Sequence, residues 1–115
     1  MMVEELDVYK LSHELILEVY RITKDFPESE KFGLTSQMRR SSASICMNLT
    51  EGAHRLGRNE YRHFVSISRG SCGELKYQLI LSRDLGFIDS NTYNQLGNAA
   101  ERVSMMPTKL HASLK

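Results

Sequence analysis

The sequence predicts an all-α protein, an antiparallel up-down-up-down four-helix bundle formed by a single domain of residues 1–115. Four segments carry apolar residues at every third or fourth position, which is the period of an amphipathic helix, and no segment shows the alternation of a strand. Only two prolines, Pro27 and Pro107, interrupt the chain, so long stretches are free to be helical. A length of 115 residues suits one hydrophobic core and is too short for two.

The first segment runs from about residue 6 to residue 25 and should end before Pro27, because the residue that precedes a proline avoids the helical conformation. Its apolar stripe consists of Val8, Leu11, Leu15, Val19, Ile22 and Phe26. The second segment runs from about residue 29 to residue 56, and small residues in its stripe would let a neighbouring helix approach closely. That stripe consists of Leu34, Met38, Ser41, Ile45, Asn48 and Gly52. Gly57 is the predicted stop of this helix, and Asn59 is the predicted N-cap of the next.

The third segment, residues 60–85, has the most regular pattern, with the alternating steps of four and three that are typical of helices packed side by side. Its seam consists of Tyr61, Val65, Ser68, Cys72, Leu75, Leu79 and Ser82. Gly86 should end this helix, and Asp89 or Ser90 should cap the fourth. The fourth stripe consists of Tyr93, Leu96, Ala100, Val103, Met106 and Leu110. Pro107 should kink or end the fourth helix.

The polar residues in these stripes, Asn48, Ser68 and Ser82, are expected to fix the register of the helices rather than to carry out chemistry. At a rise of 1.5 Å per residue, the second and third helices would each be about 40 Å long, so the bundle would be slender. A slender bundle has much surface for its volume. That shape favours burial of one side in a homo-oligomer.

The composition indicates a cytoplasmic protein. The first seven residues, MMVEELD, lack the basic and apolar regions of a signal peptide. No apolar run approaches the length of about 20 residues that a membrane-spanning helix needs. Two cysteines, Cys46 and Cys72, are too few for a disulfide framework or a zinc cluster, and we expect them to be reduced and packed as small apolar residues.

Charge is unevenly distributed although the net charge is only +1. Residues 1–30 contain three basic and eight acidic residues, whereas residues 39–69 contain six arginines and two acidic residues. Arginine suits carboxylate and phosphate groups because its planar guanidinium can donate two parallel hydrogen bonds. The asymmetry therefore predicts either contacts between oppositely charged parts of subunits or an anionic partner.

The candidate binding residues form a basic row on the third helix. Arg62, Arg69, Lys76 and Arg83 are spaced by seven, so they share one face, and Arg55 continues the spacing before the turn. Together with the remaining arginines of this region, the predicted nucleic-acid-binding residues are Arg39, Arg40, Arg55, Arg58, Arg62, Arg69, Lys76 and Arg83. Such a row matches a phosphate backbone.

A second interpretation of the same row stays open. Residues that flank a helical seam normally pair with charges on a neighbouring helix. The first helix supplies a row of acidic residues on one face, namely Asp7, Glu14, Glu18 and Asp25. In this interpretation the protein is a purely structural homo-oligomer, in which arginines of one subunit pair with the first helix of the next.

A metal site and an enzymatic site are the less favoured alternatives. Glu51-x-x-His54 and Glu60-x-x-His63 match the spacing found in di-iron bundles, but both motifs flank a turn instead of projecting inward at mid-bundle. No Ser-His-Asp arrangement or nucleophile-elbow motif is visible. The sequence therefore predicts a protein that is not an enzyme and that holds no metal or cofactor.

Two motifs resemble the signature of a known family. The first comprises Phe26-Pro27, Glu30-x-Phe32-Gly33-Leu34, Gln37-x-Arg39-Arg40, Ser44-Ile45, Asn48, Glu51-Gly52 and Arg55. The second comprises Glu60-Tyr61, Phe64, Gly70-Ser71, Glu74-Leu75 and Gln78-Leu79. Together they resemble the second and third helices of the 23S rRNA intervening-sequence proteins, which are four-helix-bundle proteins related to the accessory variability protein of diversity-generating retroelements.

This resemblance implies an antiparallel bundle that assembles into a ring, with five subunits favoured. It also implies RNA or DNA and a nucleic-acid-processing protein as partners, and no enzymatic activity. The expected function is therefore binding of nucleic acid, or scaffolding of a nucleic-acid enzyme, through arginine-rich helix faces. Pro107 stands where the last helix of similar proteins usually carries an apolar residue, so packing near this residue should differ.

Overall fold

Four α-helices form an up-down-up-down bundle in the computed structural model, which describes residues 7–55 and 57–113, with side chains described as far as Met106. The helices are α1 (Asp7–Thr23), α2 (Leu34–Ala53), α3 (Arg58–Asp84) and α4 (Ser90–Ser113), and a short 3₁₀ turn, Glu28–Glu30, lies between α1 and α2. Each helix packs against its two neighbours in cyclic order, so α3 lies diagonally across from α1. No strand occurs in the described ranges, and the predicted all-α bundle is confirmed.

The core lies where the predicted stripes meet. Fully buried side chains come from every helix, and the largest of them are Leu15, Met38, Ile45, Leu75, Leu79, Val19, Val65 and Val103. The third seam is confirmed from Val65 to Ser82, whereas Tyr61 at its start is only half-buried. The bundle measures 43 × 25 × 20 Å, as expected for a slender shape.

The second helix is shorter than predicted at both ends. It begins at Leu34 rather than near residue 29, because the Glu30 carboxylate accepts a hydrogen bond from the Leu34 amide at 3.0 Å and thereby closes a separate turn. A Cβ added to Gly33 would lie 2.8 Å from that carboxylate oxygen, so a side chain here would require the Glu30 side chain to move. The helix ends at Ala53. Leu56, the predicted last residue, lies outside the described residues.

The predicted boundary between α2 and α3 was wrong in its details. Gly57 does not end α2; it is the N-cap of α3, in an extended conformation with φ −104°. Its carbonyl accepts the Tyr61 amide at 3.1 Å, so the cap lies two residues before the predicted cap, Asn59, and the helix starts at Arg58. A helix can start at glycine because the glycine backbone adopts the cap conformation without strain.

The boundary between α3 and α4 was predicted correctly. Gly86 has a left-handed backbone with φ +80°, and the Phe87 amide reaches back to the Ser82 carbonyl at 2.8 Å, which is a Schellman closure. Asp89 then caps α4, since its carboxylate accepts the Thr92 amide at 2.7 Å. The helix does not end at Pro107, because it continues to Ser113.

Hydroxyl groups connect α2 and α3 across the core. Ser68 donates to the Ile45 carbonyl at 3.0 Å, and Ser82 lies 3.3 Å from the Met38 sulfur. Both serines are buried, and both hold the register of the two helices, as predicted. Asn48 is only half-buried, and its amide bonds to Ser44 in the same helix, so it acts on the register indirectly.

Candidate functional site

Four of the eight predicted binding residues are engaged inside the chain. Arg39 braces α1 against α2, because its Nε donates to the Thr23 hydroxyl at 2.9 Å and its guanidinium lies 4.6 Å from the centroid of the Tyr20 ring. The Thr23 hydroxyl in turn donates to the Val19 carbonyl at 2.7 Å. Arg39 therefore has a structural role in the subunit, and its guanidinium is less available to a ligand than the sequence predicted.

Lys76 and Arg83 are engaged with α4. The Lys76 ammonium forms an ion pair with Glu101, and the Arg83 guanidinium lies 4.3 Å from the centroid of the Tyr93 ring while its Nε donates to Asp84 at 3.0 Å. These contacts place Lys76 and Arg83 on the side of α3 that borders α4. They also neutralise or cover the half of the row that is nearest the α3–α4 loop.

Arg55 does not extend the row of α3, because it lies in the connection between α2 and α3. Its guanidinium pairs with Glu51 at 2.5 Å and with Glu60 at 3.7 Å, and it lies 5.1 Å from the centroid of the Phe64 ring. The arginine thus ties the end of α2 to the first turn of α3.

The same contacts explain the two Glu-x-x-His motifs. Their carboxylates converge on Arg55 rather than on each other's histidines. The Nδ1 atom of His54 lies 2.8 Å from the Thr50 carbonyl, and the His63 ring packs edge-on against Phe64. Within the described residues no group of three or more His, Cys, Asp or Glu side chains is arranged to hold a metal ion.

The two cysteines are buried and unbonded to each other. Burial raises the pKa of the Cys72 thiol to about 11. A thiol that stays protonated at neutral pH is a poor nucleophile. Cys72 therefore packs as a small apolar residue in the core of the bundle, as the sequence predicted.

The other four predicted residues, Arg40, Arg58, Arg62 and Arg69, form no ion pair within the described part of the chain. Arg58 and Arg62 are one turn apart on α3, and Arg69 follows two turns later on the same face. Arg62 is half-buried, and its Nε is buried without an acceptor among the described residues. A buried guanidinium nitrogen without a partner is unusual and favours an anion that completes its hydrogen bonding.

The sequence that follows Glu101 supplies no acidic residue. Glu101 itself pairs with Lys76. Residues 102–115 contain no Asp or Glu and include Arg102, Lys109 and Lys115. The acidic residues of α1 do not reach the row either, because α1 lies diagonally across the bundle. We call Arg58, Arg62 and Arg69 the cationic row.

A polar groove between α2 and α3, with a volume of about 330 Å³, was not predicted. Its lining comes from both helices: Gln37, Arg40, Ser41, Ser44, Ser71, Glu74 and Gln78. Ser44 and Ser71 join across it at 2.9 Å, and the Asn48 amide supports Ser44 at 2.9 Å. The signal in the sequence was the spacing of Ser71, Glu74 and Gln78 along one face of α3.

An exposed apolar surface lies on the α1–α2 side of the bundle. Leu17 is 56% exposed, Tyr20 is 42% exposed and Met47 is 68% exposed. Tyr20 and Met47 also border a shallow pocket together with Ala43. None of the described helices is long and apolar enough to span a membrane.

Comparison with proteins of known structure supports the fold. A protein of unknown function from the S23 ribosomal protein family of Bacteroides thetaiotaomicron, with a crystal structure at 1.70 Å, superposes with a TM-score of 0.81. The match covers 90% of this chain and 97% of that protein, at 20% sequence identity. No curated protein matches the sequence. The model of the 23S rRNA-intervening sequence protein family matches residues 4–109, which is nearly the whole chain. The protein belongs to the 23S rRNA-intervening sequence protein family.

Proposed function

We propose that this protein is a non-enzymatic homo-oligomer that binds nucleic acid, or scaffolds a nucleic-acid enzyme, through the cationic row. One observation carries the proposal: Arg58, Arg62 and Arg69 lie on one face of α3 without an acidic partner in the described residues. The row spans three turns of helix, or roughly 16 Å, which is enough to follow several phosphates.

The chemistry of the row favours phosphate contacts over base contacts. Arginine donates two parallel hydrogen bonds to phosphate oxygens, and the half-buried guanidinium of Arg62 is already partly ordered. The row starts at the first residue of α3 and runs along the side of the helix for three turns, so it suits contacts to successive phosphates and contributes affinity without sequence preference. An oligomer would repeat this field and strengthen weak binding at each subunit.

The apolar surface of Leu17, Tyr20 and Met47 supports the proposed self-association. Exposed apolar side chains that lie together on a small soluble protein commonly mark a contact surface. The alternative function, a purely structural oligomer, gives the arginines a different partner, since they would then pair with α1 of a neighbouring subunit.

Salt dependence and charge reversal test the proposal together. Binding of a fluorescent single-stranded RNA should weaken with salt, with a log–log slope of about −0.7 for each phosphate that is neutralised. The variant Arg62→Glu/Arg69→Glu should lose most of the affinity. The matched control is Arg21→Glu/Lys24→Glu, which makes the same change in charge on exposed residues of α1 and the adjoining loop and should retain more of the affinity.

Light scattering on both variants separates the two functions. If the cationic row binds nucleic acid, the Arg62→Glu/Arg69→Glu variant keeps the oligomeric state of the wild type and loses RNA. If that variant dissociates, and the wild type binds no RNA at low salt, the arginines connect subunits and the structural alternative holds.

A further inference from the structure

The polar groove between α2 and α3 contains a hydrogen-bond acceptor that the chain does not satisfy. Gln78 is 9% exposed, and its Oε1 is buried without a donor in the described residues. Glu74 precedes Gln78 by one turn on the same face of α3, so a carboxylate-bearing and an amide-bearing residue line the groove one turn apart. Glu74 has no ion pair among the described residues. This wall of the groove therefore suits a ligand with adjacent N–H donors.

The opposite wall carries a cation. Arg40 lines the groove from α2, is exposed, and forms no ion pair in the part of the chain that the structure describes. The register of α2 and α3, fixed by the bonds Ser44–Ser71 and Met38–Ser82, places Arg40 near Glu74 and Gln37 near Gln78. Gln37 and Arg40 are both exposed, so they can shift to admit a ligand to the buried oxygen without disturbing the core.

We propose that this groove binds a guanine nucleotide, with the base along Glu74 and Gln78 and the phosphate at Arg40. Guanine is the common base that presents two adjacent N–H donors, N1–H and the 2-amino group, on its Watson–Crick edge. Adenine and cytosine place an acceptor beside their single amino group, and uracil has one N–H between two carbonyls. Proteins read unpaired bases of RNA on this same edge.

An arginine side chain from a partner protein also offers adjacent N–H donors, but it would bring a second cation next to Arg40. A guanine nucleotide satisfies both walls, because its phosphate supplies the anion. The volume of about 330 Å³ lies at the lower end of the range for small-ligand sites. This inference rests on the proposed nucleic-acid binding, to which it adds the nucleotide that is recognised; the source is either a free nucleotide or an unpaired guanine within RNA.

Titration of the whole protein with GMP, IMP and AMP, followed by calorimetry and by the side-chain amide signals in NMR spectra, tests the groove directly. GMP should bind best. IMP, which lacks the 2-amino group, and AMP, which lacks the N1 proton, should each bind about tenfold more weakly. Guanosine without phosphate should bind more weakly than GMP.

Variants assign the two walls. Gln78→Met removes the acceptor and keeps the shape, so it should abolish the preference for GMP over IMP, whereas the same change at Gln95, in the groove between α1 and α4, should not. Arg40→Ala should bring GMP down to the affinity of guanosine, and Arg21→Ala on α1 should leave GMP unchanged. If Gln78→Met does not fold, Glu74→Ala at an exposed position tests the same wall.

Equal binding of all nucleotides, or a GMP preference that survives both Gln78→Met and Glu74→Ala, would overturn the proposal. Single-stranded RNA with and without guanine separates the sources, since a preference for the guanine-containing strand that disappears in Gln78→Met places the nucleotide in RNA. If the wild type binds RNA but shows no preference for GMP or for guanine-containing strands, the groove proposal fails and the cationic row still stands. If it binds GMP but no RNA, the cationic row fails as a nucleic-acid surface and the groove stands as a free-nucleotide site.

Discussion

The two ends of the bundle are closed by different chemistry. At the loop end, where the α1–α2 and α3–α4 connections meet, the rings of Phe26 and Phe87 pack with their centroids 5.2 Å apart. The carboxylates of Glu30 and Asp89 accept hydrogen bonds from backbone amides in the first turns of α2 and α4. At the turn end, where α2 passes into α3, the contacts are made by Arg55 with its two glutamates. At the loop end the carboxylates cap helices, whereas the turn end carries the cations Arg55, Arg58 and Arg62.

This difference indicates that the loop end contributes mainly to stability and the turn end mainly to binding. At the loop end, the Glu30 and Asp89 carboxylates accept hydrogen bonds from backbone amides of the chain itself. The turn end keeps Arg58 and Arg62 without an acidic partner in the described residues, next to a pair of glutamates that only Arg55 engages. Substitutions at the loop end should therefore change stability, whereas charge changes at the turn end should change binding.

The largest expected effect is the loss of stability when an aromatic residue at the loop end is removed, and the same change at the turn end should cost less. Phe26→Ala should destabilise the protein by about 3–5 kcal/mol, because a buried ring in contact with Phe87 is replaced by a cavity. Phe64 is only half-buried at the turn end, so Phe64→Ala should cost about 1 kcal/mol. Urea unfolding followed by far-ultraviolet circular dichroism measures both, at one fixed protein concentration because an oligomer links stability to concentration. Equal losses at the two ends would remove the distinction.

The next effect concerns the close approach of α2 and α3 at the turn end. A Cβ added to Gly52 would lie 2.9 Å from the Phe64 Cβ, so Gly52→Ala should cost about 1–3 kcal/mol. Gly70→Ala is the matched control in α3, since nothing lies within 4 Å of its added Cβ and the better helix former should stabilise by about 0.5–1 kcal/mol. The same unfolding experiment should therefore give opposite signs. A neutral Gly52→Ala would mean that the helices move apart at little cost.

The sequence was sufficient to predict the parts of the molecule that depend on periodicity. The seam from Val65 to Ser82 and the four-helix order follow from apolar spacing, which reports burial directly. The start of α2 could not be predicted in this way, because residues 29–33 are compatible with a helix. They form a separate turn only because the Glu30 carboxylate takes the Leu34 amide.

The candidate site was predicted in part for a related reason. The spacing of seven correctly placed Arg62, Arg69, Lys76 and Arg83 on one side of α3. Which of them would be engaged depends on the register between α3 and α4, and a single helix carries no information about that register. The α2–α3 groove was missed for the same reason, since its two walls come from different helices.

The smallest expected effect concerns the cap of α4 at the loop end. The hydrogen bond from the Thr92 amide holds the pKa of Asp89 below its ordinary value. A carboxyl whose pKa is lower in the folded state contributes stability at pH values above the unfolded-state pKa, near 4, and loses that contribution as the pH falls through the folded-state pKa. Asp89→Asn keeps a side chain that can cap the helix but removes the titration.

Melting temperatures measured from pH 7 to pH 2 should show Asp89→Asn slightly less stable than the wild type at neutral pH, with the difference disappearing in acid. Asp25 lies at the same end, but no helix amide is bonded to its carboxylate in the described residues. The change in melting temperature between neutral and acid pH should therefore be closer to the wild-type value in Asp25→Asn than in Asp89→Asn. A wild-type advantage over Asp89→Asn that persists unchanged at pH 2 would show that the cap acts through packing instead of charge.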